Sequence, residues 1–401
     1  MARTALAVDG GPPLRRRAYP DWPEPGPDDL DRVQAVLTSQ DWGGSASVVA
    51  SFEQLFAQYH DAAHGVAVSS GTMALELVMH ALEIGLGDEV IVPAHSFVAT
   101  ATAVSRVGAT PVFVDIEADT YNLDPVRVAE AVSPSTKAIL AVHFGGVVAD
   151  MDRLQGIAEQ HDVDLLEDAA HAHGAEWHGT RAGGLGLAAA FSFQNSKAMT
   201  AGEGGILTTS DERLAAKARS ITNAGRLPGR GWFEHFELGT NLRMTGLQAA
   251  ILAGQLERLQ DQILLRRRRF QRFQRRLQSV QGIELQRTPR GASTQTRYIV
   301  PGRIDPRMFG TTRDQFVQAV QAEGVPVRSF YPHPLYSNPV FQGRPHRVLT
   351  CAVAEGACLD SFWLPMRLFM GTDEDAADAA RAIEKVHAWH KPAQGPTNGS
   401  P

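Results

Sequence analysis

Lys197 stands in the segment FSFQNSKAMTAGEGGILTT, between a run of apolar and small residues and a glycine-rich turn. An ammonium beside a buried strand end is costly to desolvate unless it is paired or neutralised. Forming an imine with an aldehyde resolves that cost and makes the lysine a covalent catalyst. Gly202, Gly204 and Gly205 would let the backbone turn sharply next to such a group. A second segment, VDLLEDAAHAHGA, carries an apolar run into Glu167 and Asp168, with His171 three residues further on. In VAVSSGTMALELVMHAL, Ser70, Gly71 and Thr72 open a helical pattern, where free N–H groups and hydroxyls favour a phosphate dianion. Phe97, in VPAHSFVATATAV, puts a flat apolar ring in the loop after the next strand-like run. Each also has a plain structural reading: a surface lysine, an aspartate capping a turn, an ordinary helix N-cap and a core phenylalanine.

Together the four segments match one cofactor. Pyridoxal phosphate (PLP) needs a lysine for its aldehyde, a carboxylate facing its pyridine nitrogen, an anion site for its phosphate and an aromatic ring to stack on. Rival readings explain fewer residues. A metal hydrolase built on His143, Glu167, Asp168, His171 and His173 gives Lys197 and GEGG no role, so no metal is expected. GLGLAA at 184–189 fits a dinucleotide-binding pattern but precedes a strand instead of joining strand to helix. A catalytically silent sensor would not need both Lys197 and Asp168.

These residues must be held by strand ends. From about residue 55 to 220, the apolar runs GVAVS, DEVIVP, TPVFVD, KAILAVHF, VDLLED, AAAFSF and GGILTTS alternate with amphipathic segments. That pattern predicts α/β architecture: a seven-stranded, mostly parallel sheet with ligands at the carboxyl ends of its strands. Helical patterns fall at Met73 to Leu82, Val98 to Val107, Pro125 to Val132 and Met151 to His161. A long helix beginning at Gly246 then leads into a smaller α+β domain, with a Pro-rich loop YPHPLYSNPVF and a last helix over 373–390. The expected division is a large domain over 1–255 with an N-terminal arm, a small domain over 256–391 and a disordered tail over 392–401. The cluster Arg266 to Arg269 reads as a solvated helix face.

The 401 residues are 43% hydrophobic and 20% charged, with a net charge of −6, which gives no broad positive field for nucleic acid or an acidic membrane. Cys351 and Cys358 read as reduced core residues. The opening MARTALAVDGGPPLRRR lacks the layout of a signal peptide, and no run approaches a membrane span, so the expected location is the cytoplasm.

On the runs EDAAHAHGA, FSFQNSK and TAGEGG, the chain resembles the sugar and cyclitol aminotransferases of the DegT/DnrJ/EryC1/StrS group, of PLP fold type I. The resemblance extends from LAVDGGPPLR to the last helix. It implies that Lys197 holds the cofactor, that Asp168 faces the pyridine nitrogen, that His171 lies over the ring and that Phe97 stacks on it. It also implies that Thr72 and Ser192 contact the phosphate and that Asn241, in GTNLRMTGLQAA, reaches the partner subunit's phosphate in a homodimer with shared active sites. A helix cap is the alternative for Asn241. Some members are dehydratases with histidine in place of the lysine, and Lys197 argues against that branch. GGPP, FSFQNSKAMTAGEGG and SFWLPMRLFMG look most like glutamine-dependent scyllo-inosose aminotransferases and 3-amino-5-hydroxybenzoate synthases. The implied reaction moves an amino group from glutamine or glutamate to a keto-cyclitol or keto-sugar in specialised metabolism, with pyridoxamine phosphate as the intermediate form of the cofactor. Arg243, Tyr331 and His333 are candidate substrate contacts.

Overall fold

The computed structural model describes residues 5–390; the tail expected over 392–401 lies outside the described residues. In chain order the strands are β1 (His64–Val68), β2 (Glu89–Pro93), β3 (Thr110–Val114), β4 (Thr136–Val142), β5 (Asp164–Asp168), β6 (Glu176–Trp177), β7 (Thr180–Arg181), β8 (Ala188–Ser192) and β9 (Gly205–Thr209). There follow β10 (Ile283–Leu285), β11 (Ala292–Thr294), β12 (Ile299–Ile304), β13 (Arg328–Ser329), β14 (Arg347–Val348) and β15 (Ser361–Pro365). The helices are α1 (Asp29–Ser39), α2 (Ser47–Tyr59), α3 (Gly71–Ala81), α4 (Ala99–Arg106), α5 (Pro125–Ala131), α6 (Met151–His161) and α7 (Glu212–Thr222). After them come α8 (Gly246–Leu277), α9 (Pro306–Phe309), α10 (Arg313–Ala322), α11 (Ala352–Asp360) and α12 (Asp373–His390).

The main sheet has the order β1-β9-β8-β5-β4-β2-β3-β14. β9 runs antiparallel to both neighbours, and every other pairing is parallel. The seven expected strands are all present. The eighth, β14, adds two residues to the β3 edge, too few to carry a hydrophobic period. Alternate residues feed cores on the two sheet faces: Val90 and Val92 join one, Ile91 the other. Helix starts are fixed by short acids, with Asp124, Asp150 and Asp211 accepting from the N–H groups of Val126, Arg153 and Leu214.

A four-stranded antiparallel sheet, β10-β12-β15-β13, forms a third core with α10, α12 and the later part of α8. Helix α8 passes between the cores. Leu252, Leu256, Leu259 and Ile263 pack beneath the main sheet, while Phe270, Phe273 and Leu277 pack in the third core. The N-terminal arm is stapled to this second region. Glu323, fully buried, accepts from the backbone N–H of Ala7 and Leu14 and from Lys385, and Arg15 bridges Asp375 and Asp378.

The arginine cluster departs from its reading as a solvated face. Arg266 is fully buried and donates to the Thr296 carbonyl at 3.0 Å; burial pushes its pKa down to about 10. Arg269 is buried against the Phe369 carbonyl and Asp373. Charge alone hid this, because the helical period turns the first and fourth residues of the cluster inward together. Cys351 and Cys358 are buried and unbridged. Among the described residues no helix is long and apolar enough to cross a membrane.

Candidate active site

The carboxyl ends of β1, β4, β5 and β8 open onto a cavity of about 710 Å³, walled on the other side by β12, β13, β15 and the residues after β13. β5 delivers two adjacent carboxylates to opposite faces. Asp168 lines the cavity. Its Oδ2 accepts from Thr100 Oγ1 at 2.7 Å and its Oδ1 from the Ala170 N–H at 3.2 Å. Thr100 spends its one proton on that carboxylate, so Ser96 Oγ, 2.9 Å from Thr100 Oγ1, is the donor in the second bond.

His171 is held beside Asp168 by the Gly145 N–H, which donates to Nδ1 at 3.3 Å and leaves the ring proton on Nε2. Gly145 has φ +67°, and a Cβ there would lie 2.8 Å from Gln286 Oε1, so only glycine brings that N–H into place. The His171 and Tyr298 rings lie 4.6 Å apart. Burial first, then the charges of Lys197 and His173, push the His171 pKa well down, and the ring is neutral.

Lys197 lies in the turn after β8. Its carbonyl accepts from Trp22 Nε1 at 3.0 Å, and its Nζ sits 4.7 Å from the centre of the Tyr298 ring. The residue is part-exposed into the cavity, yet surrounding protein desolvates the ammonium. Burial lowers its pKa from the usual 10.5 to about 8, with the Asp168 charge opposing the shift.

The third corner is the start of α3. Ser70 caps it, accepting from the Met73 N–H at 3.2 Å, and Thr72 follows in the first turn. A Cβ on Gly71 would lie 2.7 Å from Ser192 Cβ, and one on Gly205 would lie 2.4 Å from the Ser70 carbonyl. These two glycines let the helix start close onto the ends of β8 and β9. Hydroxyls of Ser70, Thr72 and Ser192 then share one wall with unpaired helix N–H groups, the composition an anion requires. Phe97, 57% exposed, lines the cavity and does not join the core.

The cavity thus gathers Ser70, Gly71, Thr72, Phe97, Asp168, His171, Ser192, Lys197 and Tyr331. Burial raises the Tyr331 pKa, so its phenol stays neutral. Asn241, Arg243 and His333 do not line it. The Leu242 carbonyl accepts from the Ser69 N–H, Arg243 donates to Asn223 Oδ1 at 2.9 Å, and the exposed Asn241 lies beside them. His333 turns to the Pro334 carbonyl. Ser96, Gln194, Ser196, Glu203, Tyr298, Arg328 and Trp363 also line the cavity. The motif FSFQNSK already held two of these and SFWLPMRLFMG held Trp363, whereas Arg328 sits in a two-residue strand that no period marks.

On the far face of β5, Glu167 is saturated. It accepts from the N–H groups of Gly183, Leu185 and Gly186 and pairs with His143 Nε2 at 2.9 Å. His173 is buried among Phe56, Phe191 and Phe193. Among the described residues no three His, Cys, Asp or Glu side chains are grouped to hold a metal ion.

The sequence pattern of the DegT/DnrJ/EryC1/StrS aminotransferase family matches residues 23–384. The chain is 36% identical to an L-glutamine:2-deoxy-scyllo-inosose aminotransferase of Micromonospora echinospora, over 98% of this chain and 100% of that one. It is 37% identical to a 3-amino-5-hydroxybenzoate synthase of Amycolatopsis mediterranei (strain S699), over 91% and 96% of the two chains. The fold is similar to a crystal structure of 3-amino-5-hydroxybenzoic acid synthase, with a TM-score of 0.88 and 35% identity over 94% of this chain and 100% of that one.

Proposed function

The chain belongs to the DegT/DnrJ/EryC1/StrS aminotransferase family, and on that premise we propose that it moves the amino group of glutamine onto the ketone of a cyclitol. It is a PLP-dependent aminotransferase of fold type I. The observation that carries the reading is one cavity holding a lysine of lowered pKa, a buried carboxylate and a hydroxyl-lined helix start. These corners fit the aldehyde, the ring nitrogen and the phosphate of the cofactor.

Bound there, PLP supplies an aldehyde for covalent attachment and a ring that accepts the electron pair of the donor α-carbon. Lys197 would hold the cofactor through Nζ and, once freed, would take the donor's α-proton on that atom and pass it to the former aldehyde carbon, the shift that leaves the nitrogen behind. A pKa of about 8 leaves an appreciable share of neutral amine at neutral pH. Asp168 presents its carboxylate to the cavity, oriented by Thr100 and the Ala170 N–H. His171, Phe97 and Tyr298 close the sides, and Ser70, Thr72 and Ser192 hold the anion. Relatives named for scyllo-inosose substrates support a cyclitol acceptor. The likeness to 3-amino-5-hydroxybenzoate synthase favours, as the second reading, an aminating aromatase.

We further infer a cytoplasmic homodimer in which Asn241 reaches the partner's phosphate site. The exposure of Asn241 and of Trp232, Phe233 and Leu238 in the preceding segment supports this. Mixed dimers of Lys197→Ala and Asn241→Ala test it: with shared sites, one site of the two carries both lesions and about half of normal activity returns. Thr245, not Asn241, caps α8, so the helix-cap alternative does not hold, and uniformly low activity would leave Asn241 the local role of accepting from the Arg243 N–H. For the substrate, purified protein is incubated with 2-ketocyclitols, 3-keto-sugars and 4-keto-sugars, with glutamine or glutamate. Turnover of a ketocyclitol with glutamine is expected, and turnover confined to keto-sugars overturns the cyclitol assignment.

A further inference from the structure

Among the described residues Arg328 supplies the only guanidinium in the cavity wall. It lies in β13 directly opposite Trp363 of β15, so both side chains leave the sheet on one face, and its guanidinium carbon sits 5.8 Å from the Trp363 ring centre. Other arginines of this region are paired: Arg303 meets Asp360 at 2.7 Å and Arg313 meets Asp314 at 2.6 Å. Among the described residues Arg328 makes no ion pair, and its recorded contact is the Trp363 ring. Of the cavity's own carboxylates, Asp168 is held by Thr100 and the Ala170 N–H, and neither it nor Glu203 forms an ion pair with Arg328. Arg328 is exposed at the cavity wall with no internal counter-charge among the described residues, so its guanidinium is open to an anion brought by the ligand.

The two substrates of the proposed reaction differ in this respect. An amino-acid donor carries a carboxylate on the same carbon as the amine that must meet the Lys197 side of the cavity; a keto-cyclitol is uncharged. We propose that Arg328 binds the donor's α-carboxylate, and that it rests on Trp363 while the neutral acceptor occupies the same space. Phe330, Tyr331 and Trp363 then offer flat faces to the cyclitol ring. One cavity serves both half-reactions because its discriminating charge makes only a loose contact with the Trp363 ring, cheap to leave, and is not tied to an internal carboxylate. The assignment rests on the amino-acid:cyclitol reading.

The test uses holoenzyme carrying Arg328→Ala and Arg328→Lys, followed by stopped-flow absorbance in each half-reaction separately, with glutamine or with scyllo-inosamine. A charge-assisted bond is worth roughly a 10- to 100-fold change in affinity. The expected result is a rise of that size in the apparent Kd for glutamine in Arg328→Ala, partial recovery in Arg328→Lys, and an unchanged Kd for scyllo-inosamine. Calorimetric titration of cofactor-free protein with glutarate, which cannot react, should show the same weakening. An unchanged Kd for glutamine, or equal losses in both half-reactions, overturns the assignment. Wild-type holoenzyme that reacts with neither compound overturns the proposed function itself, and the assignment with it.

Discussion

Glu167 and Asp168 are neighbours on β5, both carboxylates and both buried, yet they serve opposite ends. Glu167 faces the packed side, where three backbone N–H groups and His143 fill its lone pairs. Asp168 faces the cavity with two donors and the rest of its valence open to the cavity. A carboxylate whose bonds are all internal ties loops together; one left partly unsatisfied at a cavity is available to a ligand. The histidines divide the same way, His143 and His173 on the packed side and His171 in the cavity wall.

The largest effect should come from Lys197→Ala. Turnover should fall by more than about a thousand-fold, because covalent and acid–base roles vanish together. The melting temperature should hold or rise, since a desolvated ammonium has gone. Retained turnover would break the contrast at its cavity end. Asp168→Asn should lower kcat by roughly 100-fold or more, as for other preorganised electrostatic groups, with little change in thermal unfolding. Glu167→Ala should do the reverse, costing about 3 kcal/mol or more in denaturant unfolding by leaving buried donors unpaired. If the two neighbours gave the same signature, the division between faces would be wrong.

A smaller effect concerns pH. The folded pKa of Lys197 lies near 8 against its usual 10.5, so between these values the unfolded chain holds the extra proton. Stability of cofactor-free protein should therefore rise across pH 8 to 10.5 relative to Lys197→Met, by on the order of 1–3 kcal/mol. Urea titrations at each pH measure it, and a flat difference would show that the ammonium is solvated. The smallest effect should be Thr100→Val, which removes one bond to Asp168 and should cost several-fold in kcat with the fold kept; full activity would mean that the Ala170 N–H alone orients the carboxylate.

Much of this was legible in the chain. Strands buried on both faces write themselves as uninterrupted apolar runs, so all seven runs and the four helices after the early ones stand where the pattern put them. The expected cavity residues between Ser70 and Lys197 were legible for the same reason, since each ends or follows a strand. What escaped was set by tertiary contact. Arg266 and Arg269 face inward on a helix whose charge reads as solvated. β13 and β14 are two residues long, so Arg328 carried no period to mark it. Helix α2, whose Phe52 and Phe56 are fully buried under the main sheet, lies at the edge of the alternating region, where no preceding strand run marks it.

Gln255 of α8 exchanges both its amide groups with one residue, receiving the Thr200 N–H at 2.8 Å and donating to the Thr200 carbonyl at 2.7 Å. A side chain here imitates the rung of a sheet, and the residue so clasped lies three positions beyond Lys197. The helix thereby acts as a ruler for the height of the lysine turn. The Thr200 amide, though it belongs to an irregular loop, should resist exchange with deuterated water as stubbornly as a central strand. Slow exchange at that one position would report that the lysine's support is rigid on the timescale of turnover.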